Sequence, residues 1–424
     1  MTDPNVLWVL GGVVLMSISA AAVGSFTLLQ KRALIGDAVA HAILPGICLA
    51  FLLSGGKHPL VLLAGAAATG WLGLVTVEYL TRHTRLKGDA ALGLTLSVYY
   101  GAGALLLTSI QRSGAGAQAG LDKFLFGKAA AMVREDVLLF AGLSAAVLIV
   151  LAWIYKPLTA VIFDRNFALT AGLPVRRLEQ ALSLLTVFII ALGIQAVGAV
   201  LMAALLITPA AAARYWTHDL RRMLVLACGF AAVSAAAGAW ISYLLPRMPT
   251  GPWVVLALTL TAGISIAAGS DRGLAAAWQR RRQNRRKIDR ENLLKCLYQL
   301  GEADGQPEAM RLHSEIAARR DMPPARLRAA LHALRGEGLL RQEAGRAGLT
   351  RAGAAAGSRV TRLHRLWELY LTTHLDLPPD HVHEEAEAIE HILTPEIEAA
   401  LESKLNFPSL DPHNSPIPAK RTLP

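Results

Sequence analysis

The sequence predicts an all-α polytopic membrane domain of eight or nine transmembrane helices, followed by a mainly α soluble domain containing a winged helix. Three observations carry this expectation. Long apolar stretches recur with short breaks up to about Gly269. Beyond Asp271 the composition becomes that of a soluble protein. Within the soluble part, two short helical patterns are followed by a glycine-bearing turn and a small wing. Apolar runs of about 18 or more residues read as membrane spans, because ~30 Å of hydrocarbon needs ~20 helical residues.

The apolar segments fall near 6–29, 38–54, 59–80, 90–110, 136–154, 178–194, 196–213, 221–245 and 252–269. The 178–213 stretch reads either as two spans turning at Gly193–Gly198 or as one span plus a partial helix. Basic residues in short loops set the orientation. Lys31/Arg32, Arg82/Arg85/Lys87, Arg165/Arg176/Arg177 and Arg214/Arg221/Arg222 occupy alternate loops, predicted to be cytoplasmic. The loops between hold fewer, with Lys57 near one turn and Arg247 near another. Nine crossings then put the N-terminus outside and the tail in the cytosol. The opening MTDPNVLWVL lacks a basic n-region, so a retained first helix is expected.

The chain has 424 residues and a formal net charge of +11. Arg280, Arg281, Arg282, Arg285, Arg286, Lys287 and Arg290 form the densest basic run, just past the last apolar segment. Anionic headgroups of membrane lipid are one partner for it and nucleic acid another; its position beside a membrane helix favours lipid. Cys48, Cys228 and Cys296 are too few and too scattered for a disulfide framework or a thiolate metal site. No phosphate-binding G-x-x-x-x-G-K-[ST] occurs, since Gly127-Lys128 is followed by Ala129, and no H-E-x-x-H occurs either. The chain is therefore expected to be no enzyme and to bind no nucleotide alone.

The stretch LIGDAVAHAILPG, Leu34 to Gly46, places Asp37 and His41 four residues apart inside an apolar run. On a helix the two share a face, with Cβ atoms roughly 5–6 Å apart. A carboxylate at mid-bilayer costs about 2.5–3.5 kcal/mol on insertion scales, so a compensating interaction is expected. A carboxylate oxygen and a neutral imidazole suit borderline and harder divalent ions. From spacing alone, cation coordination and a mutual hydrogen bond that stabilises helix packing both stay open. Gln195, also in an apolar run, reads either as lining a path or as a helix-to-helix hydrogen bond.

GDAVAHAILPG resembles the signature of the metal-ion permeases of the ABC-3 family, importers of manganese, zinc or iron. Three further stretches agree in order. LDKFLFGKAAAMVREDV (Leu121–Val137) is similar to the segment after the fourth helix of that family. FDRNFALTAGLPVRRLE (Phe163–Glu179) is similar to its cytoplasmic coupling loop, and GIQAVGAVLMAALLITPAAAAR (Gly193–Arg214) to its most recognisable membrane motif. The resemblance covers about residues 6–270. It implies a permease subunit in a bacterial cytoplasmic (inner) membrane, paired with a second permease subunit. A separate ATP-binding subunit would push on the coupling loop through Asp164, Ala168, Gly172 and Pro174. An extracytoplasmic solute-binding protein would deliver the cargo. Asp37 and His41 would coordinate the passing manganese, iron or zinc, with Gln195 beside the path.

In the soluble tail, His313–Leu340 divides into a helix, a break at Asp321–Pro324 and a second helix, for which Pro324 suits the first turn. Leu327, Ala330, Leu331 and Leu334 make a core stripe with spacing i, i+3, i+4, i+7. Arg328, His332 and Arg335 fall on another, basic stripe; with Arg326 they are the candidate DNA contacts of a helix-turn-helix second helix. RQEAGRAGLTRAG then looks like a wing.

Residues Arg362–Pro418 resemble the metal-binding and dimerisation domain of the iron- and manganese-dependent repressors, the diphtheria-toxin-repressor family. With the winged helix, the likeness covers about residues 288–420. It implies one metal site at His364, Glu368 and His383 and another at Glu387, Glu390 and His391. His364/Glu368, His383/Glu387 and Glu387/His391 are i, i+4 pairs, so each pair shares a side of a helix. Glu387 stands where the iron-type repressors carry cysteine, which leans the implied chemistry towards manganese. Where the family takes a further ligand from its first helix, this sequence offers Asn292, with Lys295 one turn on. The implied site is one ligand short. The second helix also begins Pro323-Pro324, where base-reading side chains usually project.

Four regions are thus expected: a permease domain, 1–270; a basic juxtamembrane linker helix, 271–287; a winged helix, 288–358; and a metal-binding and dimerisation domain, 359–424. The expected function is a permease subunit for divalent transition metal whose cytosolic tail senses the same metal and regulates transport. The alternative makes the tail a metal-dependent DNA-binding repressor, tethered or released by proteolysis around Gln279–Lys287.

Overall fold

The computed structural model describes residues 4–30, 35–56, 58–112, 134–245, 248–320, 322–375, 377–378, 382–391 and 393–419. The expectations for Lys31/Arg32, Lys57, Arg247 and most of Leu121–Val137 therefore fall outside the described residues, as does the His383 side chain. The chain forms two compact units, Met1–Ala277 and Trp278–Pro424.

The first unit is all helix: α1 (Pro4–Leu29), α2 (Ile35–Ala42), α3 (Leu44–Ser54), α4 (Pro59–His83), α5 (Gly88–Arg112), α6 (Arg134–Phe163), α7 (Arg165–Thr170), α8 (Val175–Val197), α9 (Ala199–Ala213), α10 (Leu220–Leu244) and α11 (Thr250–Ala268). Among the described residues, eight spans are long and apolar enough to cross a membrane, counting α2 and α3 as one. The break between α2 and α3 has a chemical cause. Pro45 has no N–H to give the His41 carbonyl, and its ring crowds that same carbonyl.

The open question at 178–213 resolves as two helices. Gly198, at φ +92°, separates α8 from the 15-residue α9. A Cβ on Gly193 would collide with the Met202 side chain, so these residues touch across the bend. Nine residues on a straight helix span roughly 13 Å, so the chain must reverse here. A tight approach recurs where α1 meets α9, as a Cβ on Gly24 would fall on the Leu206 carbonyl. Such close crossings need small residues, since apolar lipid gives helices little hydrophobic drive to associate.

The leg ends sort to one side. The end of α1 at Leu29, the end of α6 at Phe163, Arg214 after α9, the start of α10 at Leu220 and Arg272 after α11 line one small cleft. Trp216 Nε1 donates to Ser265 Oγ at 3.0 Å, tying the α9–α10 turn to the end of α11. The ends of α1, α6, α9 and α11 and the start of α10 therefore lie together on one side.

In the second unit, α12 (Leu274–Ala303) supplies the opening helix. There follow β1 (Arg311–Leu312), α13 (His313–Arg319), α14 (Pro324–Gly336), β2 (Leu340–Glu343) and β3 (Arg346–Leu349). The sheet is antiparallel in the order β1-β3-β2. Ala344 and Gly345 make its hairpin turn with φ +41° and +76°, a wing whose handedness matches strand twist. Leu327, Ala330, Leu331 and Leu334 are buried against Leu293, Leu297, Ile316 and Leu349, as their spacing predicts. α15 (Arg351–His374), α16 (Val382–Ile389) and α17 (Pro395–Lys404) complete the unit. Both α12 and α15 run unbroken through the boundaries expected at 287/288 and 358/359.

Candidate functional site

α2 is short, and Ile35, Gly36, Ala38, Val39, Ala40 and Ala42 on it are all buried. Asp37 and His41 are the exceptions. Their side chains are 51% and 30% exposed, and Asp37 Oδ1 lies 3.5 Å from His41 Nε2. The imidazole stands edge-on to the Tyr100 ring of α5, with centroids 5.1 Å apart and planes at 86°. A helix otherwise sealed on its neighbours thus opens one face, and that face carries a carboxylate and an imidazole. The separation is too long for a strong hydrogen bond, so each group keeps lone pairs for another partner. Pro45 leaves the His41 carbonyl without its usual helical donor on the same turn.

Gln195, near the end of α8, is buried, and its Nε2 finds no hydrogen-bond partner among the described residues. An orphaned buried amide donor is costly unless water or another acceptor reaches it.

The Asp164–Pro174 segment is a built turn. Asp164 Oδ1 accepts from the backbone N–H of Asn166 at 3.0 Å and of Phe167 at 2.9 Å, capping α7. Ala168 is fully buried, Gly172 takes φ +75°, and Pro174 precedes α8. Arg165 Nε donates to Glu179 at 3.1 Å, fastening α7 to α8. Phe167 and Leu169 stay 61% and 50% exposed. Neither is predictable from sequence, since nothing local marks an apolar residue in a loop as outward-facing. A cleft of about 490 Å³ is lined by Trp71, Glu78, Arg82, Asp89, Arg176 and Glu179, the last being the partner of Arg165.

In the second unit, His364 Nε2 lies 3.1 Å from Glu368 and its Nδ1 2.5 Å from Glu390 Oε2. Burial works against charge on this imidazole, but the hydrogen bonds to Glu368 and Glu390 outweigh it and hold the pKa above its ordinary 6.5. Between these groups sits Lys295, whose side chain is 2% exposed. Its Nζ is 3.0 and 2.9 Å from the two Glu390 oxygens, 3.1 Å from His364 Nδ1 and 3.5 Å from Glu387 Oε1. Arg320 donates from Nη1 to Glu387 at 2.5 Å and from Nη2 to Asn292 Oδ1 at 2.7 Å. His391 turns away and pairs through Nδ1 with Glu291 at 2.6 Å, leaving Nε2 3.6 Å from Glu390.

Four of the six tail residues expected from the resemblance therefore gather, but around an ammonium group. Among the described residues, no three His, Cys, Asp or Glu side chains converge as a metal-ion site. A metal held at roughly 2.0–2.5 Å by Glu390 and His364 on the side that faces Lys295 would overlap the ammonium, whose nitrogen lies 2.9–3.1 Å from the same atoms. Among the described residues, the donors around Lys295 do not fit a metal ion.

On α14, Arg328, His332 and Arg335 are exposed as expected. Arg326 is not available in the way expected of a DNA contact, because its guanidinium is held by the carboxylate of buried Asp289. Their geometry is a fork on two carboxylate oxygens, the strongest form of such a pair.

The family model described as the ABC 3 transport family matches residues 2–269. The model of the iron dependent repressor, metal binding and dimerisation domain matches residues 350–419. The chain is 40% identical over 378 residues to the manganese transport system membrane protein MntC of Bacillus subtilis, covering 89% of this chain and 86% of that protein. It is 43% identical over 272 residues to the zinc transport system membrane protein TroC of Treponema pallidum, covering 64% of this chain and 91% of that protein. Among solved structures, PsaBC from Streptococcus pneumoniae in complex with Fab is similar with a TM-score of 0.57 and 30% identity. That match covers 64% of this chain and 94% of the other.

Proposed function

The chain belongs to the ABC 3 transport family, and from that premise we propose that it is the permease subunit of an importer of divalent transition metal. The single observation that carries the reading is the Asp37–His41 pair on the one open face of a buried helix. A cation passing that face exchanges part of its hydration for a carboxylate oxygen and an imidazole nitrogen. The absence of thiolate keeps the grip loose enough for release, and the pair suits manganese, zinc and ferrous iron alike. The relatives' names favour manganese or zinc as cargo.

ATP is hydrolysed in a separate subunit, which docks on α7. The exposed Phe167 and Leu169 give that subunit an apolar hold, and the Arg165–Glu179 pair passes its movement to α8. A solute-binding protein delivers the ion from outside, and a second permease subunit faces the Asp37–His41 side. The tail lies in the cytosol and acts on the permease as a docking or dimerising domain. A second reading, DNA binding by the tail, is favoured by the exposed Arg328, His332 and Arg335. Gel retardation with the purified full chain at low salt tests it, since phosphate contacts weaken steeply as salt rises.

The test of the main reading is uptake of radioactive manganese and zinc by cells lacking the chain and complemented with it. Complementation by the unaltered chain but not by Asp37→Ala or His41→Ala, at equal membrane abundance, is the expected result. Full uptake by either variant contradicts it.

A further inference from the structure

The tail matches a domain described as metal-binding, yet its inward-facing donors surround a lysine. We propose that the Lys295 ammonium is the resident cation of this domain, fastening the winged helix to α15 and α16 whatever the metal concentration. The inference does not depend on the reading of Asp37 and His41.

The contacts of the Lys295 ammonium lie between elements that a metal would otherwise join. Lys295 comes from α12, His364 from α15, Glu387 from α16 and Glu390 from the turn just past it, while Glu368 holds His364 from one turn along α15. Arg320, just past α13, repeats the device by bridging Asn292 of α12 to Glu387 of α16. At the positions where a metal domain would offer ligands from its first helix, Asn292 and Lys295 supply an amide already engaged and a fixed positive charge.

Charge balance points the same way. Glu368, Glu387 and Glu390 face the cationic Lys295 and Arg320 and the doubly hydrogen-bonded His364. A divalent ion added to this set would meet an ammonium at contact distance and leave the cluster with surplus positive charge. Expelling Lys295 would strip a nearly fully buried side chain of all its partners, which buried charges tolerate poorly. The lysine therefore excludes the ion both by occupancy and by repulsion.

Hydrogen exchange of the full chain in detergent, with and without manganese, tests the proposal at peptides covering 288–300, 362–372 and 384–391. In the unaltered protein, exchange there is expected to be the same in chelator and in excess manganese. Lys295→Met is expected to speed exchange in chelator by about tenfold or more, because Glu390 and His364 lose their central partner. Lys295→Glu is expected to exchange fast in chelator and to regain protection with manganese. Manganese-dependent slowing in the unaltered chain would overturn the proposal. So would exchange in Lys295→Met as slow as in the parent, and that variant removes a charge without adding one, so it stays informative if Lys295→Glu does not fold.

Discussion

Lys295 Nζ donates to both carboxylate oxygens of Glu390, at 3.0 and 2.9 Å, from a position 95 residues away in the chain. Each group is nearly sealed from water. Removing either partner leaves the other charge buried and uncompensated, whereas removing both does not. Lys295→Met and Glu390→Gln are each expected to cost the tail about 3–5 kcal/mol, and the double variant clearly less than the sum. Denaturant melts of the tail arranged as a double-mutant cycle measure the coupling.

Cys296, next along α12, reports the same region. Burial pushes its thiol above the ordinary 9.0, and it is 2% exposed. Thiolate is the reacting form, so maleimide labelling is expected to be slow until the tail opens. Mapping the label by mass spectrometry separates Cys296 from Cys48 and Cys228. In Lys295→Met its labelling rate is expected to rise by about tenfold or more, following local opening.

Phe167 and Leu169 hold exposed apolar surface on a helix fixed by the Asp164 cap. Truncating them removes little from the fold of this chain. Phe167→Ala with Leu169→Ala is expected to leave membrane abundance unchanged and to weaken co-purification with the ATP-binding subunit. Anchors of this kind carry more than about 1–2 kcal/mol each in interfaces, which is roughly tenfold or more in affinity. Asp164→Ala should give a smaller loss, by about 0.5–2 kcal/mol of cap energy.

Gly24 allows α1 to approach the backbone of α9 at Leu206. Gly24→Leu cannot be accommodated without parting the helices, and overpacking of this kind costs about 1–3 kcal/mol or more. The expected outcome is a lower melting temperature of the detergent-solubilised chain and reduced uptake. Gly101, beside which nothing lies within 4 Å, serves as the control position for the same substitution.

Much of this architecture was legible from residue spacing, because its signals are local. Apolar runs mark α1, α4 and α10 directly, and the i, i+3, i+4, i+7 stripe on α14 predicts its buried face. Asp37 and His41 share a face simply because they are one helical turn apart. The reversal at Gly198 was one of two open readings, since hydropathy is continuous from α8 into α9 and only the Gly193–Met202 contact distinguishes them.

What stayed hidden depends on long-range pairing. Lys295 could be seen one turn beyond Asn292, but its entry among groups near positions 364 and 390 is a product of the fold. Arg326 was a candidate DNA contact beside the basic stripe, but Asp289, 37 residues earlier, holds its guanidinium. His391 shared a helical face with Glu387, yet the end of α16 turns it towards Glu291.

The most direct test of the central claim is manganese binding to the purified full chain in lipid nanodiscs, followed by electron paramagnetic resonance of the bound ion. The expected result is a bound signal that is lost in both Asp37→Ala and His41→Ala and kept in Glu390→Ala. A bound signal that survives both of the first two variants would contradict it.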